Sequence, residues 1–316
     1  MAARRCRVLI CEFMDPRAVA LLQQSHDVTY QPGLVDDRAA LVRSAAQCDA
    51  LIVRNRTQVR AELLAALDRC RVVGRLGVGL DNIDVSGCEA RGIEVIAATG
   101  ANALSVAEYV VASTMLLLRG AYASTAQVAA GHWPRAVLSQ GREVRGKTLG
   151  VIGFGSIGRV VAGLARAVGM NVVAHDAVHA ANSPVWGESH VAPATLNEAA
   201  GADVVTLHVP LLDSTRRLFD EARIASMKRG AILINTSRGE VADMAAIVAA
   251  LHSGQLGGAA LDVFDTEPLP AAPLLQDCPN LLLTPHISGV SAESNERVSF
   301  MIAEKVGEAL RKEGAR

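Results

Sequence analysis

Aromatic side chains are scarce in this sequence, 3% of 316 residues, although half of all residues are hydrophobic. Any core must therefore be built mostly from Ala, Val, Leu and Ile, as expected for helices packed on a parallel sheet. Charge of one sign is lacking too: 31 Lys and Arg against 32 Asp and Glu leave a net charge of −1. No basic field is offered to nucleic acid and no run of like charges appears, so no nucleic-acid partner is expected. The six cysteines, Cys6, Cys11, Cys48, Cys70, Cys88 and Cys278, contain no CxxC and no pairing with histidines at metal-ligand spacing. Isolated buried thiols in a reducing compartment are the simplest account, with no metal site. Long apolar runs are also missing. The longest, Val106 to Leu118, is broken by Glu108, Ser113 and Thr114 and is too short for a bilayer. The first apolar run reaches Glu12 and Asp15 too soon for a signal peptide. These absences predict a cytoplasmic soluble protein with no membrane partner.

What is present is regular alternation, in a chain long enough for two domains. Apolar runs at Val8 to Cys11, Val28 to Tyr30, Leu51 to Val53, Val72-Val73 and Ile93 to Ala97 predict strands. Helical patterns at Ala18 to Leu22, Arg38 to Ala46, Ala61 to Leu67 and Val85 to Arg91 separate them. This is already a self-contained α/β unit with a parallel sheet. A dense apolar helix, Asn102 to Arg119, then leads to a second alternating region. Its strands are expected near Val204 to Val209, Ala231 to Asn235, Ala259 to Val263 and Leu281 to Thr284, and its helices near Ala222 to Met227 and Val241 to Leu251. Gly187 to Pro193 reads as a loop, and the last helical segment, Glu293 to Lys312, as a return onto the first domain.

The second region opens on Leu149 to Asp176, LGVIGFGSIGRVVAGLARAVGMNVVAHD. A strand, Thr148 to Ile152, meets Gly153, Gly155 and Gly158, and a helical pattern through Val160, Val161, Leu164, Ala165 and Val168 follows at once. The first glycine permits a tight turn, the second lets a pyrophosphate approach the backbone, and the third lets helix pack on strand. Free amides at the helix start then face the anion. A second strand, Asn171 to Ala174, leads to Asp176, 176 − 158 = 18 residues past the last glycine. A ribose-binding acid is expected at a spacing of about 20. Its carboxylate would accept from both ribose hydroxyls and repel a 2′-phosphate, which favours NAD over NADP.

In open parallel sheets, ligands bind beyond the carboxyl ends of the strands. Three charged or ionisable residues follow such ends: Arg238 after the strand at Asn235, Glu267 after Val263 and His286 after Thr284. A cation, a carboxylate and an imidazole suit reduction of a 2-oxo acid. Protonated His286 would donate the proton, Arg238 would hold the substrate carboxylate and polarise the carbonyl, and Glu267 would orient the imidazole. His208, in LHVP, also follows a strand and would flank the adenine.

These residues lie in a sequence that resembles the D-isomer-specific 2-hydroxyacid dehydrogenase family over nearly its whole length. The resemblance rests on GRLGVGLDNIDV (Gly74 to Val85), NALSVAEYV (Asn102 to Val110), GKTLGVIGFGSIG (Gly146 to Gly158), LHVPLLDST (Leu207 to Thr215), INTSRGEVAD (Ile234 to Asp243), GGAALDVFDTEP (Gly257 to Pro268) and LLTPHISG (Leu282 to Gly289). It implies two doubly wound α/β domains: a flavodoxin-like catalytic domain formed by residues 1–100 and 290–316, and an inserted Rossmann NAD-binding domain, 101–289. The active site is expected in the cleft. It also implies Arg238, Glu267 and His286 as catalytic residues. Gly77, Val78 and Gly79 would bind the substrate carboxylate and Asn102 would face the substrate. Val106 would touch the nicotinamide and Asp262 its carboxamide, while the amides of Ser156 and Ile157 would meet the pyrophosphate, with Thr215 nearby. Val209, Pro210, Thr236 and Gly289 complete the expected cofactor contacts, and a homodimer through the nucleotide domains is implied.

One departure bears on substrate. After Val53 the family often has Arg-Ser, a small residue and Thr, whereas this chain has Arg54, Asn55, Arg56, Thr57. Arg54 and Arg56 would read a second anion on the substrate, such as a phosphate or sulfonate at C3, or else be solvated or salt-bridged. Phosphoglycerate, sulfolactate, glycerate and glyoxylate-type substrates all stay open. The expected reaction interconverts a small (R)-type 2-hydroxy acid and its 2-oxo acid. Glu267, where formate-oxidising relatives have glutamine, argues against that branch. The other class of reading is an NADH-sensing corepressor with little turnover.

Overall fold

The computed structural model describes residues 5–313; residues 1–4 and 314–316, the outer tips of the expected catalytic domain, lie outside the described residues. Contacts divide the chain into two compact units, Met1–Asn102 with Val290–Arg316, and Ala103–Gly289. Each is an α/β unit around its own parallel sheet.

In the first unit, five strands, β1 (Arg7–Ile10), β2 (Asp27–Tyr30), β3 (Ala50–Val53), β4 (Val72–Arg75) and β5 (Glu94–Ala97), pair in the order β2-β1-β3-β4-β5. All run parallel, the flavodoxin-like arrangement. The central strands are apolar because both faces are covered. Val8, Ile10, Ile52 and Val72 pack with Val298, Ile302 and Val306 of the last helix, Ala292–Glu313. Leu9, Leu51, Val53 and Val73 face Leu41, Leu63 and Cys88 on the other side. The returning helix is thus an integral part of the first unit's core, as the sequence pattern predicts.

The second unit has seven parallel strands: β6 (Thr148–Ile152), β7 (Asn171–His175), β8 (Ala192–Pro193), β9 (Val204–Leu207), β10 (Ala231–Asn235), β11 (Leu256–Leu261) and β12 (Leu281–Leu283). Their order, β12-β11-β10-β9-β6-β7-β8, reverses direction between β6 and β9. This is the switch point where a doubly wound sheet opens a crevice for a nucleotide. The helix Ala103–Arg119 lies on helix Ser156–Ala167 and belongs to this unit. Buried residues of the glycine-turn unit and of this helix, Phe154 and Val106 among them, share one core.

Local departures from expectation have local causes. The strand expected at Ala259 starts at Leu256, its beginning masked in the sequence by Gly257 and Gly258. The helix expected from Val241 begins at Met244, where the Asp243 side chain accepts from the Ala246 amide. Gly187 to Pro193 is no plain loop. Helix Pro184–Ser189 starts on a proline, and Trp186 stacks on Phe154 with ring centroids 4.9 Å apart, which outweighs the helix-weakening Gly187. All six cysteines are free, five of them buried. Among the described residues, no single helix is long and apolar enough to cross a membrane.

Candidate active site

At the end of β6 the chain turns through Gly153, whose φ of 93° is open to glycine and strained for other residues. A Cβ there would lie 2.6 Å from the His208 carbonyl oxygen, and one on Gly158 would run into the Gly153 carbonyl. Over Gly155, by contrast, a Cβ meets nothing within 4 Å. The backbone is therefore bare on the side where the helix Ser156–Ala167 begins, and no side chain caps that helix. The amides of Ser156 and Ile157 lie in its first turn, where the helix itself supplies no acceptor. A pyrophosphate fits this cradle.

Asp176 follows β7. Burial alone would raise its pKa, but the amides of Phe154 (2.7 Å), Val178 (2.8 Å) and His179 (3.3 Å) outweigh that and hold the carboxyl below its ordinary range. An anionic acceptor is thereby fixed beside the glycine turn. At the end of β9, His208 is braced by Thr206 Oγ1 at 3.0 Å and Thr236 Oγ1 at 3.5 Å, and burial pushes its pKa down to about 3. It stands as a neutral ring. Val209 and Pro210 open the following turn, which Thr215 closes by donating to the Pro210 carbonyl (2.6 Å) and accepting from the Leu212 amide (2.8 Å). Val106 is 3% exposed and sits in the core. Gly289 ends the unit.

Three neighbouring strands carry the three candidate catalytic residues. Asn235 ends β10 and folds the next turn, accepting from Ser237 and donating to the Arg238 carbonyl at 2.8 Å. A Cβ on the next residue, Gly239, would strike the Phe264 backbone, so the Arg238 turn lies against the segment leading to Glu267. Beyond β11, Glu267 accepts from the Phe264 amide through one oxygen (3.0 Å) and meets His286 Nδ1 through the other at 2.7 Å. His286 follows β12. With Nδ1 committed to Glu267, Nε2 is the nitrogen left for a substrate, and the side chain is 48% exposed. Its backbone is left-handed, φ 52°, at a cost of roughly 1–2 kcal/mol for a non-glycine residue. Asp262, fully buried, meets that cost: its main-chain oxygen accepts the His286 amide and its carboxylate the amides of Ile287 and Ser288.

In the first unit, Glu12 follows β1 and is 4% exposed. Its carboxylate accepts from the amides of Arg54 (2.8 Å), Arg56 (3.1 Å) and Thr57 (3.0 Å). Asn82 donates to the carbonyls of Arg54 and Thr57, tying this loop to the one that starts at Gly77. Gly77 has φ 154°, and a Cβ there would displace the Arg75 guanidinium. Among the described residues, no acceptor takes the amides of Val78 and Gly79. Arg54 is half-buried, its guanidinium 5.7 Å over the Phe13 ring and donating to Asn295 at 2.8 Å; burial lowers its pKa. Asn55 is exposed. Arg56 is exposed and paired with Asp36. Asn102 Oδ1 is buried without a hydrogen-bond partner.

Residues 111–288 match the model of the D-isomer specific 2-hydroxyacid dehydrogenase NAD-binding domain. Over 303 residues the chain is 50% identical to an (S)-sulfolactate dehydrogenase of Chromohalobacter salexigens, spanning 96% of this chain and 98% of that one. The chain belongs to the D-isomer-specific 2-hydroxyacid dehydrogenase family. A hydroxypyruvate reductase of Thermotoga maritima is 36% identical over 310 residues, 97% of this chain and 99% of the relative. The crystal structure of the TT0316 protein from Thermus thermophilus superposes with a TM-score of 0.85 at 33% identity, covering 97% of each chain. This dehydrogenase is an NAD-dependent oxidoreductase of 2-hydroxy acids, and its relatives lend the sensor reading no support.

Sequence reasoning passed over Glu12, Tyr109 and Thr284 in this dehydrogenase. Glu12 carried a signal, an acid directly after an apolar strand, but its partners lie more than 40 residues away. Tyr109 and Thr284 touch across 175 residues and carried none. For the cofactor, Asp176→Ser should lower the ratio of kcat/KM with NADH to that with NADPH by about 10-fold or more, the scale of a charged hydrogen bond. Steady-state kinetics with both nucleotides checks this; an unchanged ratio removes Asp176 from cofactor choice.

Proposed function

We propose that this dehydrogenase interconverts a 2-hydroxy acid bearing a sulfonate at C3 and its 2-oxo acid, 3-sulfolactate and 3-sulfopyruvate. The observation that carries the substrate reading is Arg54. Among the described residues it has no carboxylate at ion-pair distance, while its neighbour Arg56 is neutralised by Asp36. One cation without an ion-pair partner suits a sulfonate, which carries a single charge at neutral pH, better than a phosphate, which carries nearly two. The half-identical sulfolactate dehydrogenase supports the same choice. The hand is consistent as well. In sulfolactate the sulfur-bearing carbon outranks the carboxyl group, so the spatial arrangement called (R) in lactate is written (S).

In the reductive direction, protonated His286 gives the proton on Nε2 to the carbonyl oxygen, and Glu267 holds Nδ1 so that the ring stays aimed. Arg238 takes the substrate carboxylate and polarises the carbonyl, and in the first unit the open amides of Val78 and Gly79 suit a carboxylate. Asn102, whose Oδ1 is a buried acceptor lacking a donor, faces the substrate. Gly153, Gly155, Ser156, Ile157, Gly158 and Asp176 would hold the dinucleotide, which would supply or take up the hydride. In oxidation, neutral His286 removes the hydroxyl proton. The enzyme works in the cytoplasm as a homodimer. Support for the dimer comes from Tyr122, Trp133 and Val137, which are 67%, 77% and 74% exposed on the segment after the helix Ala103–Arg119.

Reductive kcat/KM should fall as pH rises and the oxidative value should fall as pH drops, because one direction needs the imidazolium and the other the imidazole. His286→Ala should lower kcat by about 100-fold or more and flatten both limbs; near-wild-type turnover would remove the proton-transfer role. Arg54→Ala should lower kcat/KM for 3-sulfopyruvate relative to pyruvate by about 10- to 100-fold, the value of a hydrogen bond to a charged group. Arg56→Ala should change that ratio less than about 3-fold, as for an exposed ion pair. An Arg54→Ala enzyme with the wild-type ratio excludes the sulfonate contact. Trp133→Glu should sediment as a monomer where the parent sediments as a dimer, and an unchanged sedimentation coefficient would place the dimer face elsewhere.

A further inference from the structure

The loop that presents His286 is tied to a helix remote in sequence. Asp262 Oδ1 accepts from the Thr284 hydroxyl at 2.6 Å and from the Ile287 amide at 2.8 Å, and Oδ2 accepts from the Ser288 amide at 2.9 Å. Its main-chain oxygen takes the His286 amide at 2.8 Å. Three successive amides thus close on one buried residue, and the left-handed backbone at His286 is the result. Thr284 has spent its hydroxyl proton on Asp262. In its 2.7 Å contact with the Tyr109 hydroxyl, Thr284 is therefore the acceptor and Tyr109 the donor. Tyr109 lies on the helix Ala103–Arg119, which packs on the helix that opens at the glycine turn. Burial raises the Tyr109 pKa, so its proton stays in place across the working range.

We propose that Tyr109, acting through Thr284 and Asp262, is a positioning residue for His286: the relay Tyr109 to Thr284 to Asp262 sets the conformation of the loop and so the alignment of the imidazole on Glu267. The inference rests on the reading of His286 as the acid and base. Each hydroxyl in the chain polarises the next, and the last bond is made to an ionised oxygen, where hydrogen bonds are strongest. Breaking the first link leaves Asp262 in place but weakens the Thr284 hydroxyl as its donor. Breaking the second removes one of the three donors on the carboxylate. In both cases the imidazole is held less well on Glu267.

The test is a set of variants of the whole enzyme, Tyr109→Phe, Thr284→Val, Thr284→Ser and His286→Ala, assayed over a pH series with melting temperatures and calorimetric NADH affinities. Tyr109→Phe should lower reductive kcat by about 3- to 10-fold and Thr284→Val by about 10-fold or more, as for loss of one hydrogen bond and of one to a charged group. Both should move the alkaline limb of reductive kcat/KM to lower pH. Thr284→Ser, which keeps the hydroxyl, should recover most of the rate and the parental limb. Wild-type kcat and an unmoved limb in both Tyr109→Phe and Thr284→Val, with His286→Ala inactive, overturn the relay alone. Losses that follow melting temperature while the limb stays fixed also overturn it, because they report scaffold damage. An active His286→Ala enzyme overturns instead the acid–base reading on which the relay rests.

Discussion

Parallel pairing is the constraint on which the rest of this molecule depends. Because all twelve strands run parallel within their two sheets, every strand of a sheet delivers its carboxyl end to the same rim. Residues far apart in sequence thereby become neighbours without any local signal. Arg238, Glu267 and His286 follow β10, β11 and β12, which are consecutive in the sheet, so the segment after the middle strand brings Glu267 to His286 at 2.7 Å. Gly153 and His208 meet across the β6/β9 reversal in the same way. In the first unit the reversal between β1 and β3 brings Glu12 under the Arg54 loop.

The two units use one electrostatic device. Glu12 and Asp262 are both buried carboxylates solvated largely by backbone amides of the loop they organise. Burying an anion is costly unless its lone pairs are filled, and amides fill them without spending a cationic side chain. Arg54 benefits directly. Its guanidinium rests on an aromatic ring and an amide oxygen. Arg56, two residues on, shows the opposite outcome, its charge consumed by Asp36 on an exposed surface.

Legibility from sequence followed the range of the determining interaction. The glycine turn, the strands and Asp176 were readable because their physics is local: a turn needing φ of 93°, apolar runs covered on both faces, an acid at a fixed distance along one strand–helix–strand unit. The placement of Arg238, Glu267 and His286 was readable at one remove, since each lies in the segment that follows a strand. The Glu12 amide cluster, the pairing of Arg56 with Asp36 and the Tyr109–Thr284 contact were not, because their partners sit 20 to 175 residues away and no periodicity encodes them. Helix Pro184–Ser189 was hidden for a related reason: its stability comes from Trp186 packing on Phe154, and its own sequence carries turn-forming residues.

The scarcity of aromatic residues turns this last contact into an optical probe. Only two tryptophans occur, Trp133 and Trp186. Trp186 is 6% exposed and stacked on the residue between the first two glycines of the nucleotide turn, whereas Trp133 is 77% exposed on the segment after the helix Ala103–Arg119. Their emission is therefore separable by quencher access, the buried ring reporting on the cofactor turn and the exposed ring on the segment that carries it, with no label added to the chain.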